Sequence, residues 1–185
     1  MRHVNKTHSR KKRESDHGQR AKPGSPSASS SLPPSTTQPR VILPEEVIRV
    51  LIEVANHARK YAHAPYSRYR VGSALLAGSG NVYSGVNVEN ASYGLAICSE
   101  RTAYVKAISE GEREFIAIAV VTDNGGSPCG ACRQFMSEFG LDTIVIQADA
   151  RGNYSLTTVG DLLPEAFTPA TLAQGKRRTR RTSKA

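Results

Sequence analysis

The chain has 185 residues and a formal charge of +9 at pH 7. This length suits one domain of ordinary size. No apolar run approaches the roughly 18 residues that cross a bilayer, and no apolar signal segment opens the chain. These features exclude a membrane-spanning or secreted class, so we expect a soluble, cytoplasmic protein without membrane partners.

The positive charge lies at the two ends of the chain. Residues 1–40 carry a net +7 and residues 174–185 a net +6, whereas residues 41–173 carry ten Lys/Arg against fourteen Asp/Glu. We therefore expect disordered basic tails at 1–40 and 174–185 around one folded domain at 41–173. The tails could serve as a polyanion tether or, in a eukaryotic cell, as a nuclear address. The acidic domain does not resemble a duplex-binding surface.

Segments with helical and strand periodicity alternate along the domain. A Gly78-Ser79-Gly80 turn joins two of the strands as a hairpin. The predicted order is helix 44–62, strands 71–76 and 82–88, helix 97–109, strand 115–121, helix 130–139, strand 143–146 and a short helix or turn at 162–167. This order predicts an α/β fold whose mixed sheet places an antiparallel pair beside parallel strands.

All three cysteines of the chain, Cys98, Cys129 and Cys132, lie in two short motifs at predicted helix N-termini. The helix dipole and free backbone N–H groups at such ends favour thiolates. Three thiolates predict a zinc site, and a site with three protein ligands keeps a position open for water. His57 or His63 would close that position if either were a fourth ligand.

Glu100 stands two residues beyond Cys98 on the same predicted helix. A carboxylate beside activated water can act as general acid and base in hydrolytic deamination, and the zinc nucleobase deaminases use this arrangement. The alternative is an ordinary helix glutamate. Arg101 could offset the charge of the thiolates by donating hydrogen bonds to them, or could form a surface salt bridge instead.

Six stretches of the domain resemble the small homotetrameric cytidine deaminases: APYSRYRVGSALL, GVNVENASYG, CSERTA, AISEG, SPCGACRQ and LLPEAF. The resemblance implies a three-layer α/β/α fold with a mixed five-stranded sheet, one Zn²⁺ per subunit and a homotetramer. It also implies roles for individual residues. Asn87 and Glu89 would hold the ribose, Tyr69 would line the base pocket, and backbone groups near Ser99 and Ser127 would contact the pyrimidine. Phe167 would reach in from another subunit, and Arg101 would neutralise the thiolates.

The implied reaction is hydrolytic deamination of free cytidine and deoxycytidine for pyrimidine salvage, in which a zinc-bound hydroxide attacks C4 and Glu100 shuttles protons. Asn87 and Glu89 are two positions apart, so on a strand they face the same way and could grip one sugar; the alternative is a solvent-facing pair. Ser99 stands where the family usually has alanine, Tyr69 where phenylalanine is common and Arg70 where proline is frequent. These departures leave the preference for base and sugar open.

Two other functions compete with this interpretation. One is a deaminase of another cytosine-type substrate, either blasticidin S or polynucleotide cytosine; a polynucleotide enzyme should carry a basic or aromatic channel on its domain. The other is a non-catalytic module that uses zinc only to fold and binds nucleic acid through its tails. That module would need four zinc ligands and could dispense with Glu100.

Overall fold

The computed structural model describes residues 42–173, so the two predicted tails lie outside the described residues. Helices and strands alternate along this part of the chain, and a last helical stretch covers residues 169–173. They are α1 Glu45–Arg59, β1 Gly72–Ala77, β2 Val82–Val86, α2 Ser99–Ser109, β3 Phe115–Thr122, α3 Gly130–Ser137, β4 Ile144–Asp149, β5 Tyr154–Thr158 and α4 Val159–Leu162, with a short 3-10 helix at Tyr93–Leu95. None of these helices has the length and apolar character that crossing a membrane requires.

The five strands form one mixed sheet in the order β2-β1-β3-β4-β5. β1 pairs antiparallel with both β2 and β3, β3 pairs parallel with β4 through the α3 crossover, and β4 pairs antiparallel with β5. The predicted hairpin and the predicted parallel strands are therefore neighbours in one sheet. The carboxyl end of β3 opens into the loop that leads to α3.

Helices cover both faces of the sheet. Along β3 the buried side chains alternate: Ala117, Ala119 and Val121 pack with α1, whereas Ile118 and Val120 pack with α2 and α3. This period of two divides the core into two apolar layers separated by the sheet. The arrangement confirms the predicted three-layer α/β/α fold with a mixed five-stranded sheet.

Two glycines allow helices to approach the sheet closely. A Cβ added at Gly72 of β1 would lie 2.1 Å from the carbonyl oxygen of Ala55 in α1, and one added at Gly85 of β2 would lie 2.3 Å from the carbonyl oxygen of Ser99 in α2. Only a residue without a side chain fits at such separations. Gly85 therefore presses the first turn of α2 directly onto the sheet.

Several element ends differ from the predictions. α1 ends at Arg59 rather than at residue 62, and β2 ends at Val86 rather than at residue 88. α2 begins at Ser99 because Ile97 is extended and forms an isolated bridge with Val88. α3 ends at Ser137, two residues early, and β4 continues to Asp149.

The C-terminal part of the domain holds two elements that the sequence pattern did not indicate. β5 is an edge strand of mixed polarity, and α4 begins with a capping box in which Thr158 and Asp161 bond each other's backbone N–H groups. The helix or turn predicted at 162–167 is a turn that follows α4. A polar edge strand lacks the alternation on which a strand prediction depends.

Candidate active site

The three cysteines meet where two helices begin. Cys98 is the N-cap residue of α2 and Cys129 that of α3, and Cys132 lies within the first turn of α3. Their sulfurs all lie within 4.8 Å of one another, and the Cys98 and Cys129 Sγ atoms are 3.8 Å apart. The two helix N-termini thus bring all three thiols to one point and direct their dipoles towards it.

This cluster fits a zinc ion. Tetrahedral zinc with Zn–S bonds of about 2.3 Å places its sulfurs about 3.8 Å apart, the distance between Cys98 and Cys129. Among the His, Cys, Asp and Glu side chains of residues 42–173, only these three converge in this way. His57 packs its ring against Tyr61 instead, and His63 forms a backbone bridge with Val88. Neither histidine fills the fourth position.

A hydrogen bond between Cys98 and Cys132 shifts the pKa values of the two thiols in opposite directions. The Cys132 thiol lowers the pKa of Cys98 to about 5, with help from Arg101. The same contact with Cys98 raises the pKa of Cys132. Cys98 therefore loses its proton more readily than Cys132, and a bound cation would displace the proton of the Cys132 thiol. Arg101 places Nη2 3.2 Å from the Ala96 carbonyl oxygen and 3.8 Å from Cys98 Sγ, where its positive charge offsets the thiolate.

Glu100 lies beside the sulfur cluster and is 4% exposed. Its Oε2 accepts a hydrogen bond of 3.1 Å from the hydroxyl of Ser99. Burial raises the pKa of Glu100, and the negative charge of Cys98 raises it further. A carboxyl with a raised pKa holds a proton more readily than an ordinary carboxyl, which suits a group that must both take up and release one.

A cavity of about 360 Å³ opens above Cys98, Cys129 and Glu100. Its walls come from the loop before β1, the segment after β2, the end of β3 and the loop before α3. They include the predicted substrate residues Tyr69, Asn87, Glu89 and Ser127, together with Val120, Thr122 and Gly126. A second groove of about 500 Å³ lies beside α1 and is lined by none of the predicted site residues.

The domain that carries this site is similar to known proteins. Residues 45–148 match the model of the cytidine and deoxycytidylate deaminase zinc-binding region. The chain belongs to the cytidine and deoxycytidylate deaminase family. The matched region contains all three cysteines and Glu100, and the zinc-binding region and the converging sulfurs together support zinc as the cofactor.

Individual relatives are similar over nearly their whole length. A cytidine deaminase of Halalkalibacterium halodurans is 52% identical over 123 residues, which cover 65% of this chain and 93% of the relative. A probable cytidine deaminase of Dictyostelium discoideum is 47% identical over 126 residues, covering 66% and 85%. The crystal structure of cytidine deaminase from Burkholderia pseudomallei gives a TM-score of 0.63 at 48% identity and covers 68% of this chain and 100% of that one.

Asn87 and Glu89 flank Val88, whose backbone pairs with Ile97. Asn87 donates to the Tyr69 carbonyl oxygen and accepts from the Val71 N–H, at 2.9 and 2.8 Å. Glu89 accepts from the Tyr66 and Ser67 N–H groups and from the Ser67 hydroxyl, which lowers its pKa. Both side chains therefore hold the loop before β1 in place while they line the cavity of this family member.

Of the remaining predicted substrate residues, some line the cavity and others do not. Tyr69 donates to the side chain of Asn124 at 2.7 Å, and Ser127 accepts from Arg133 at 3.1 Å. Ser99 is fully buried beneath the cavity wall and does not line it. Phe167 is 58% exposed and lies outside the cavity of its own chain, with its carbonyl oxygen bound by Gln134.

Two residues of this site were missed by the sequence reasoning. Arg133 joins the turn before α3 to the end of α4, and Ser73 of β1 lies 2.6 Å from the Ser99 hydroxyl. Arg133 stands in the SPCGACRQ stretch next to Cys132, which is the one sequence signal for it. Ser73 looks like an ordinary strand residue, and no local pattern would have singled it out.

Proposed function

We propose that this chain deaminates free cytidine and deoxycytidine by hydrolysis, releasing ammonia and uridine or deoxyuridine. One observation carries the proposal: the buried carboxyl of Glu100 lies beside three converging sulfurs at the floor of a cavity of nucleoside size. The relatives' names supply the substrate class, and the geometry supplies the groups that the reaction needs.

Cys98, Cys129 and Cys132 would hold the zinc. When bound there, zinc supplies a Lewis acid that makes water nucleophilic at neutral pH. Glu100 takes a proton from the attacking water and passes it to the ring nitrogen next to C4. It then delivers the second water proton to the amino group, which leaves as ammonia as the C4–N bond breaks and the carbonyl forms. One water is consumed, and the carboxylate is regenerated.

The nucleoside would be gripped at both ends of the cavity. Asn87 and Glu89 each keep hydrogen-bonding capacity beyond their contacts within the chain, so both can bind ribose hydroxyls. Tyr69 would line the base pocket, and backbone groups near Ser127 and those next to Ser99, at the cavity-lining residues Cys98 and Glu100, would contact the pyrimidine edge. A pair of ribose contacts and the net acidic domain both favour a free nucleoside over a polynucleotide.

We further propose a homotetramer in which Phe167 completes the cavity of a neighbouring subunit, in a cytoplasmic enzyme of pyrimidine salvage. The exposure of Phe167 on its own chain supports this role. Mixing two inactive variants tests it: Glu100→Gln keeps Phe167, and Phe167→Ala keeps Glu100. Mixed tetramers should regain turnover above that of either variant, since some sites then hold both groups. No gain after subunit exchange would contradict the shared site.

A substrate panel tests the reaction itself. The zinc-loaded full chain is incubated with cytidine, deoxycytidine, cytosine, CMP and a cytosine-containing oligonucleotide, and ammonia release is followed. We expect turnover of the two nucleosides and little of the other three. Ammonia release from the oligonucleotide alone, or from none of the five, would contradict the proposal.

A further inference from the structure

Three polar side chains form a continuous hydrogen-bonded series beneath the active site. Ser73 of β1 and Ser99 of α2 have no exposed surface, and Glu100 is 4% exposed. The two serine hydroxyl oxygens are 2.6 Å apart, and the Ser99 hydroxyl donates to Glu100 Oε2 at 3.1 Å. Buried hydroxyls need partners, and here each hydroxyl finds one in the next group of the series.

The direction of these hydrogen bonds follows from counting protons. A serine hydroxyl has one proton to donate. Because Ser99 gives its proton to the Glu100 carboxylate, it must accept the proton of Ser73. Hydrogen bonds in such a series polarise one another, so Ser73 strengthens the bond that Ser99 donates.

The sheet holds the far end of the series. Ser73 pairs with Gly85 on one side and with Val120 on the other, in the middle of three bonded strands. Gly85 is also the residue whose missing side chain lets the first turn of α2 rest on the sheet, next to the Ser99 carbonyl oxygen. The strand pairing and the glycine together bring the Ser99 hydroxyl within reach of Ser73.

We propose that Ser99, supported by Ser73, is a positioning residue that holds the Glu100 carboxylate in the orientation its proton transfers need. This inference rests on the proposed function of Glu100. Proton transfer requires the carboxylate within hydrogen-bond reach of the reacting atoms, and small displacements lower the rate steeply. The hydrogen bond also fixes which oxygen faces the protein interior.

The test compares Ser99→Ala with Ser73→Ala in zinc-loaded full-length enzyme. Each change removes one buried hydroxyl, but only Ser99→Ala removes the hydrogen bond to Glu100. We expect kcat on cytidine to fall about 3- to 10-fold in Ser99→Ala with KM changed less than about 2-fold, the signature of an interaction needed in the transition state. Ser73→Ala should lose a clearly smaller factor, because the Ser99 donor remains.

Equal losses of kcat in the two variants, or an unchanged kcat in Ser99→Ala, would overturn the proposal. Should Ser99→Ala fold poorly because it strands the Ser73 hydroxyl, the double variant Ser73→Ala/Ser99→Ala leaves neither hydroxyl unpaired and should show the same fall in kcat. A double variant with the wild-type kcat would likewise overturn it.

Crystal structures of the wild type and Ser99→Ala provide a readout that does not depend on the substrate. We expect the Glu100 carboxylate of the variant to rotate or occupy two conformers while the sulfur cluster stays in place. A carboxylate in the wild-type position would refute the positioning role even if the enzyme proved to act on another substrate. An inactive wild type with a displaced carboxylate in the variant would refute only the proposed function.

Discussion

Arg133 donates a hydrogen bond of 2.9 Å from Nη1 to the carbonyl oxygen of Leu162. The same guanidinium donates from Nε to the Pro128 carbonyl oxygen at 2.8 Å and from Nη2 to the Ser127 hydroxyl at 3.1 Å. One side chain thus ties the turn that carries Cys129 to the end of α4. The rigid fork of a guanidinium can satisfy these three separated acceptors at once, which an ammonium cannot.

Replacing Arg133 with lysine should therefore loosen the turn before α3. We expect the Arg133→Lys variant to lose about 1–3 kcal/mol of unfolding free energy, since two or more hydrogen bonds go unmade, and to show a raised KM for cytidine. Thermal unfolding and steady-state kinetics check both effects. Arg151→Lys is the control, because it makes the same change at an exposed arginine whose guanidinium contacts Asp149, away from the turn before α3. Wild-type KM and stability in Arg133→Lys would show that the turn holds without this side chain.

Arg101 should matter for retention of zinc. Three thiolates on Zn²⁺ leave a net negative charge, and the Arg101 guanidinium contacts Cys98 Sγ. Outer partners of metal ligands typically contribute 10- to 100-fold in metal affinity. We expect Arg101→Gln to release zinc to a chelator at least about 10-fold faster than the wild type. Arg101→Lys keeps the charge, so its release rate should lie between those of Arg101→Gln and the wild type.

The control for this experiment is Arg113→Gln, which removes the same charge from an arginine whose guanidinium donates to the backbone carbonyl oxygens of Ile108 and Glu112. Zinc release is followed with a coloured chelator at fixed pH and salt. Equal release rates in Arg101→Gln and Arg113→Gln would mean that Arg101 does not stabilise the thiolates.

Asp149 organises the turn between β4 and β5. It accepts from the backbone N–H groups of Arg151 and Asn153 and from the Asn153 side chain, and the Asn153 side chain is the main cause of its lowered pKa. A carboxylate whose pKa is lower in the folded than in the unfolded state adds stability above its unfolded pKa of about 3.9. That contribution disappears as the pH falls through the folded value.

Asp149→Asn should accordingly unfold at a lower temperature than the wild type at neutral pH. The difference between the two thermal midpoints should narrow below a pH of about 4. Thermal midpoints measured across this range check the prediction. Asp142→Asn, which changes an exposed aspartate in the loop before β4, controls for the change in net charge. A difference between the thermal midpoints that stays constant down to acidic pH would mean that the carboxylate charge does not stabilise the turn.

Local signals explain why much of this architecture could be predicted. The continuous apolar run from Phe115 to Val121 indicates a strand buried on both faces, and the spacing of Cys98, Cys129 and Cys132 indicates a shared metal. Both signals come from neighbouring residues or from residue types with few other roles. The fold and the zinc cluster follow from them, and the family resemblance adds the layers and the number of strands.

Features that depend on distant contacts could not be predicted in the same way. β5 forms by pairing with the edge of β4, and its own residues show no clear alternation of apolar and polar side chains. Ser73 meets Ser99 only because Gly85 lets α2 rest on the sheet, which is a relation among three separate elements. The sequence placed Ser99 near backbone groups that contact the substrate, and it gave no sign of the hydrogen bond from its buried hydroxyl to Glu100. The reach of Phe167 into a second subunit stays a prediction.

Turnover by Glu100→Gln measures the central claim most directly. The amide keeps the size of the carboxyl but cannot accept and return a proton, so we expect zinc content and fold to match the wild type while kcat on cytidine falls about 10²- to 10⁴-fold. Glu110→Gln, at the exposed C-terminal end of the same helix, should keep full activity. Zinc-loaded Glu100→Gln that turns over cytidine within about 10-fold of the wild-type rate would contradict the assignment of proton transfer to this residue.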